Sequence, residues 1–310
     1  MSQYLSPFHL LDNTSIEAMP TDVSMFRRVK KEILTEFELQ EVTTIDIGSQ
    51  AFDKDALLKF FDQLEREKQL DLHLKVYKNK VLLDFLELGS LDFFKMPHYF
   101  EKLVADEVLF KFCLPYFIPR FNEILFDSAR KMDIRMMRLL SKHSTMFSQK
   151  MENMAFQKTY RYFKGKSLDL EHSSNKILNS YVLDSELMNF LHPSLISVFN
   201  LLPSPFFDML RDEYANRLEN LAINLQNTAR RTDMAIEALE SGLELKTSEN
   251  TRNRLNHILR QLQPNTGKTT ILKKRKKRTS QQSNRQDWEA IAFWVVLIAL
   301  LAWLIIKVIA

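Results

Sequence analysis

AIAFWVVLIALLAWLII, residues 290–306, has no hydrogen-bonding side-chain group except the indoles of Trp294 and Trp303. A helix that is apolar on every face has no solvated side to present, so this stretch reads as a membrane span rather than as a half-buried core helix. At a rise of about 1.5 Å per residue it covers about 26 Å, and its immediate neighbours extend it to the roughly 30 Å of a bilayer's hydrocarbon. The transmembrane helix is therefore expected over residues 288–308, from Trp288 through Ala290 to Ile306 and Lys307. Trp288 and Trp303 stand near its two ends, where indoles favour the interface, and the long stem of Lys307 can carry its ammonium outward.

Outward from this run, the flanks give an orientation. Lys273, Lys274, Arg275, Lys276, Lys277 and Arg278 precede it, whereas Lys307 is the one cation beyond it. Basic residues within about fifteen positions of a span hold that side in the cytosol, so a single-pass, tail-anchored chain with a cytosolic N-terminal body is expected. The membrane would be the inner membrane in a bacterium, or the endoplasmic reticulum or nuclear envelope in a eukaryote. The opening MSQYLSPFHLLDNTSIEAMP lacks the charged start and apolar run of a signal peptide, which also argues against a glycolipid-anchor signal. Beside a bilayer, the six cations are attracted to anionic lipid headgroups by about 1 kcal/mol each. A nuclear-localisation or nucleic-acid role for them is disfavoured, because no aromatic side chain is interleaved for base stacking.

Composition then limits the body. The 310 residues hold 43 Lys and Arg against 39 Asp and Glu, but nine of those cations fall in residues 264–310 against Asp287 and Glu289. The body is thus near neutral, with 34 basic and 37 acidic residues, and the basicity belongs to the linker. Only 5 Gly accompany 23 Phe, which leaves few tight turns or phosphate loops and favours an all-α body. The single cysteine, Cys113, excludes an intramolecular disulfide and suits a reducing compartment.

Along the chain, residues 1–20 lack a clear period and are expected as a loose arm. A first helical part covers residues 21–165, a second 166–262, a basic linker 263–287. In the first part, a helix from Val23 to about Glu41 carries Phe26, Val29, Ile33 and Phe37 at helical spacing, and Asp53 caps the next. Residues 70–77 alternate as a strand would, yet Leu74, Tyr77, Val81 and Phe85 keep the helical period up to a capping Gly89; helix is preferred. Pro115 and Pro119 predict a break inside the Phe-rich segment, whose residues 108–119 are read as core rather than as an interfacial element.

In the second part, a helix is expected through about Phe163. The polar stretch KGKSLDLEHSSN then reads as the internal boundary, Asp184 as a cap, and His192-Pro193 and Ser204-Pro205 as helix starts. Tyr214, Leu218, Leu221, Leu225, Thr228, Thr232, Ala235 and Leu239 step along one long helix that Ser241-Gly242 should end. A shorter helix over residues 250–262 folds back on it as a hairpin. No fixed-period repeat is visible, although stacked helix pairs of the solenoid kind remain open.

Chemical motifs are few. NTGKTT, residues 265–270, ends like a phosphate-binding loop, but the required first glycine is Leu262. The seven histidines are scattered without a metal-ligand spacing. Cys113 sits in apolar FKFCLPYF, which suits a buried thiol rather than a nucleophile. Glu65, Glu67, Asp84 and Glu87 could meet as paired carboxylates, but solvated helix faces explain them. No catalytic, cofactor or metal site is expected. The chain reads as a non-enzymatic scaffold or recruitment module, with the bilayer, anionic headgroups and a protein as partners. An enzyme whose site is assembled from distant residues, or a tethered nucleic-acid binder, is the alternative. Self-association is left open, since the span has no Gly for Gly-x-x-x-Gly pairing and offers only Ala292, Ala299 and Ala302.

Overall fold

In the computed structural model, the described residues are 4–16, 23–39, 43–48, 50–144, 147–179 and 182–263. The basic run 273–278 and the apolar run 288–308 lie outside them. Among the described residues no helix is long and apolar enough to cross a membrane. The chain divides at Leu259 into two units, and of the second only residues 260–263, the end of the last helix, are described.

The body is all-α apart from one hairpin. Its elements are α1 (Val23–Leu39), β1 (Ile45–Ile47), β2 (Gln50–Phe52), α2 (Lys54–Glu67), α3 (Leu70–Lys78), α4 (Lys80–Leu88), α5 (Asp92–Lys95), α6 (Pro97–Ala105) and α7 (Glu107–Arg130). They continue as α8 (Ile134–Ser141), α9 (Gln149–Ile177), α10 (Asp184–Leu191), α11 (Pro193–Leu201), α12 (Asp208–Asn227), α13 (Thr232–Glu244) and α14 (Glu249–Leu262). β1 and β2 pair antiparallel, Ile45 opposite Phe52.

Local chemistry sets many of these ends. The side chains of Asp53, Asn79, Asp106 and Asp133 each accept a backbone N–H three residues on, at the starts of α2, α4, α7 and α8. Gly89, at φ 75°, ends α4 in the left-handed conformation that costs a glycine little. Residues 70–77 are indeed helical, because a 3.6-residue period buries Leu72, His73 and Val76 on one side of α3.

Several expectations are overturned. Of the expected loose arm, the described residues 4–16 are packed instead: Pro7–Asn13 form a 3-10 helix, and Tyr4, Phe8 and Leu10 are buried. Phe8 meets Phe26 and Tyr77 at ring distances of 5.5 and 5.2 Å, so aromatic burial outweighs the absence of a period. Pro115 and Pro119 do not break α7, which runs unbroken from Glu107 to Arg130. Each interior proline costs about 3 kcal/mol, but Phe112, Cys113, Phe117, Phe121 and Leu125 are buried along the same helix and Phe85, Phe93 and Phe94 close on Phe117. At about 1.5–3 kcal/mol per buried large apolar side chain, packing prevails. The segment 108–119 is accordingly core, with Val108 exposed at its start.

The polar stretch near residue 166 is not a boundary either, because α9 continues through it to Ile177. Its serines are inward-facing: Ser167, Ser173 and Ser174 are buried, and Ser173 Oγ donates to Glu186 at 2.8 Å. Finally, the long helix after residue 204 is two. α12 ends at Asn227, Arg230 takes a left-handed φ of 50°, and α13 folds back. Gly242 does not stop α13 but lies inside it, where a Cβ would come within 3.1 Å of Leu255 Cδ1; small size here permits close helix packing. Asp184, likewise, is the first residue of α10 rather than its cap.

From α7 onward, contacts define two layers. α7 packs on α9, α9 on α12, and α12 reaches α14. The residue pairs advance together, so the four helices are parallel: Phe121 meets Phe156 and Phe126 meets Tyr162; Lys164 meets Glu213 at 2.6 Å and Ser174 meets Asn224 at 3.0 Å; Ser248, just before α14, meets Asp212 at 2.8 Å and Arg254 meets Glu219 at 2.9 Å. The intervening helices pack in a second row, α8 on α11 and α11 on α13.

Candidate functional site

Helix α12 carries a charged residue where its apolar seam should continue. Leu210, Tyr214, Ala215 and Leu218 are buried, and among them Arg211 is 0% exposed. A buried guanidinium is tolerated only when its donors are satisfied. Here Nε donates to Lys246 O at 3.1 Å, and Nη1 to Phe199 O at 3.1 Å and Leu202 O at 3.0 Å. Nη2 donates to Ser204 Oγ at 2.7 Å and to the Asp208 carboxylate. One side chain thus ties the end of α11, the turn before α12 and the α13–α14 connection together.

Beside this hub opens a cleft of about 680 Å³, lined by Ser204, Asp208, Asp212, Lys246, Thr247, Ser248 and the first turn of α14 with Arg252. Its walls are held by hydrogen bonds rather than by apolar packing. Asp212 accepts the Ser248 N–H at 2.8 Å, and Asn200 bridges Glu244 O and Lys246 N at 2.7 Å each. Thr247 Oγ1 is buried without a partner among the described residues. The Ser204 hydroxyl donates to Asp208 at 2.7 Å and accepts from Arg211, so it is engaged on both sides and is not poised as a nucleophile. Carboxylates at 208, 212 and 249 alternate with cations at 246 and 252. Such a lining suits a polar protein segment better than an apolar small molecule.

A second cluster of ionisable groups joins the first residues to α3, α4 and α7. Glu87 is buried, accepts the Ser6 N–H at 2.7 Å and pairs with His9 Nε2 at 2.9 Å. That hydrogen bond raises the pKa of His9, against a smaller opposing effect of burial. The Tyr4 hydroxyl and His73 Nδ1 share a hydrogen bond at 3.1 Å, while His73 Nε2 is buried without a partner among the described residues. Burial depresses the His73 pKa to about 4, raises that of Tyr4 and pushes the Cys113 thiol up to about 12. Cys113 is therefore a packed, protonated thiol, as its apolar surroundings in the sequence suggest.

The expected membrane residues, Lys273 to Arg278 and Trp288 to Lys307, lie outside the described residues, as does the NTGKTT stretch. Of the four acidic residues weighed as paired carboxylates, Glu65 reaches Arg27 at 3.4 Å, whereas Glu87 is held by His9 and Ser6. Sequence reasoning missed Arg211 and the cleft. The available signal was an arginine at the buried phase of an otherwise apolar helix, four residues before Ala215 and seven before Leu218. Among the described residues no group of three or more His, Cys, Asp and Glu could hold a metal ion. Compared with known proteins, the chain matches no family model, no curated protein and no solved structure.

Proposed function

We propose that the chain is a membrane-anchored helical scaffold, held by residues 288–308 with its body on the cytosolic side, and that the body recruits a protein partner. The observation that carries the recruiting role is the ladder of parallel helices α7, α9, α12 and α14 backed by α8, α11 and α13. This arrangement resembles the stacked pairs of a solenoid, which bury a continuous core and offer extended surfaces for other proteins. The anchor rests on the apolar run and the cations of residues 273–278 before it. The α12–α14 cleft is the polar docking point, since its walls are preorganised by Arg211, Asp212 and Asn200.

Two measurements test the two halves separately. Alkaline carbonate washing should leave the full chain with membranes and release a chain lacking residues 288–310. Retention of the shortened chain would mean that another segment is embedded. In mild detergent, partners that co-purify with the full chain should be lost from a Lys246→Glu, Arg252→Glu variant that keeps its helical spectrum. A partner set unchanged by that variant removes the cleft from the proposal.

A further inference from the structure

The second row of helices is segregated by charge. α8 presents Arg135 and Arg138, with Lys142 at its C-cap, and at about 100° per residue these three fall within roughly 60° of arc. All three are exposed, as is Lys131 in the turn that precedes the helix. The other side of α8 buries Met137 and Leu140, and residues 134–142 contain no carboxylate. Next in the row, α11 has no ionisable side chain. The far helix, α13, is acidic, with Asp233, Glu237, Glu240 and Glu244 at steps of four, three and four.

Some lysines elsewhere in the body are neutralised by a neighbouring carboxylate. Lys75, Lys95, Lys111 and Lys164 each lie within 2.6–2.8 Å of a carboxylate. Among the described residues, no carboxylate comes within 4.0 Å of Arg135, Arg138 or Lys142. The nearest acidic residue in sequence, Asp133, is engaged in capping, accepting the Met136 N–H at 3.0 Å. Like charges aligned on one helix face repel one another, and an anionic surface removes that penalty.

We infer that this face of α8 is a lipid contact, which docks the body against the anionic headgroups of the same membrane that holds residues 288–308. The inference rests on the membrane-anchored reading, since tethering is what keeps α8 beside a bilayer. Charge complementarity selects the occupant. The face is a single exposed helix with no aromatic side chain from Ile134 to Lys142 on which a base could stack, so headgroups fit it better than nucleic acid. The acidic α13 at the other end of the row is repelled by the same surface, which gives the docked body one preferred edge.

Each cation near an anionic leaflet favours contact roughly fivefold, so three together favour it by about a hundredfold. The full chain is reconstituted into phosphatidylcholine vesicles with or without phosphatidylserine, and lysines are acylated with a water-soluble reagent and read by mass spectrometry. Lys131 and Lys142 should react at least about tenfold more slowly on the phosphatidylserine vesicles, as the docked population above requires. Protection should disappear in high salt and in an Arg135→Glu, Arg138→Glu variant, with Lys54 as an unaffected reference. Equal rates on both vesicles overturn the inference. So does protection that requires added duplex DNA on phosphatidylcholine vesicles, which would assign the face to nucleic acid. Carbonate release of the chain together with protected Lys142 sinks the anchor and supports the contact, whereas retention with equal rates does the reverse.

Discussion

Replacing Arg211 by Met keeps most of the apolar stem while deleting all five hydrogen bonds that the guanidinium donates. Three backbone carbonyls, of Phe199, Leu202 and Lys246, then face a methyl group instead of a donor. A buried acceptor left unpaired costs about 1–3 kcal/mol, and relief of the guanidinium's own desolvation offsets part of the sum. The net expectation is the roughly 3–5 kcal/mol typical of breaking a buried charged network. At about 2–4 °C per kcal/mol for a body of this size, the thermal midpoint falls by about 6–20 °C. The assay is a melt of the full chain in one detergent, followed by both far- and near-ultraviolet circular dichroism so that a non-cooperative transition is seen. Asp208→Asn is the control: its side chain is 49% exposed, so it should cost only about 1 kcal/mol. A midpoint for Arg211→Met within about 2 °C of the unaltered chain would refute the hub, because the network would then contribute less than about 1 kcal/mol.

Two further outcomes follow from the same packing. His73 is 5% exposed and its pKa is about 4 in the folded chain against the ordinary 6.5 of a solvated imidazole. Stability is therefore complete above pH 6.5 and declines as pH falls toward 4, because the unfolded chain binds the proton first. Relative to its effect at neutral pH, His73→Gln should gain about 2.5 kcal/mol on the wild type at pH 4.5, and parallel pH profiles of the two melts would sink that assignment. His9 contributes with the opposite sign, its raised pKa giving stability that is present below pH 6.5 and lost as pH rises through the folded value. Gly89→Ala should cost about 1 kcal/mol in urea titration, since φ is 75° and the new methyl would lie 3.2 Å from Arg120 Cδ; an unchanged midpoint would show that the cap relaxes freely.

The features legible from the residues alone are local. The Asp53 cap, the Gly89 stop and the His192-Pro193 start were legible because each depends on a few bonds between near neighbours, and the heptad-like row Tyr214, Leu218, Leu221 and Leu225 marked the buried side of α12 correctly. The all-α class followed from the same periodicities. The apolar run 290–306 and its cations are equally local signals, and they remain the ground of the membrane proposal.

Tertiary packing decided the rest, wherever a residue's local preference and its distant neighbours disagree. Pro115 and Pro119 stay helical because aromatic rings from α4 and α5 close on Phe117. The serines of α9 looked like a linker because a small polar side chain suits either a loop or a close helix contact, and only the partners Glu186 and Asn224 tell which. Gly242 looked like a stop for the same reason, until Leu255 came within reach across two helices. Residues 4–13 have no period of their own, yet Tyr4, Leu5, Ser6, Phe8 and Leu10 are buried because Phe26, His73, Tyr77 and Glu87 receive this segment. Arg211 is the clearest case: its acceptors are as much as 35 residues away, and no spacing in the sequence announces a bond that only three converging segments can make.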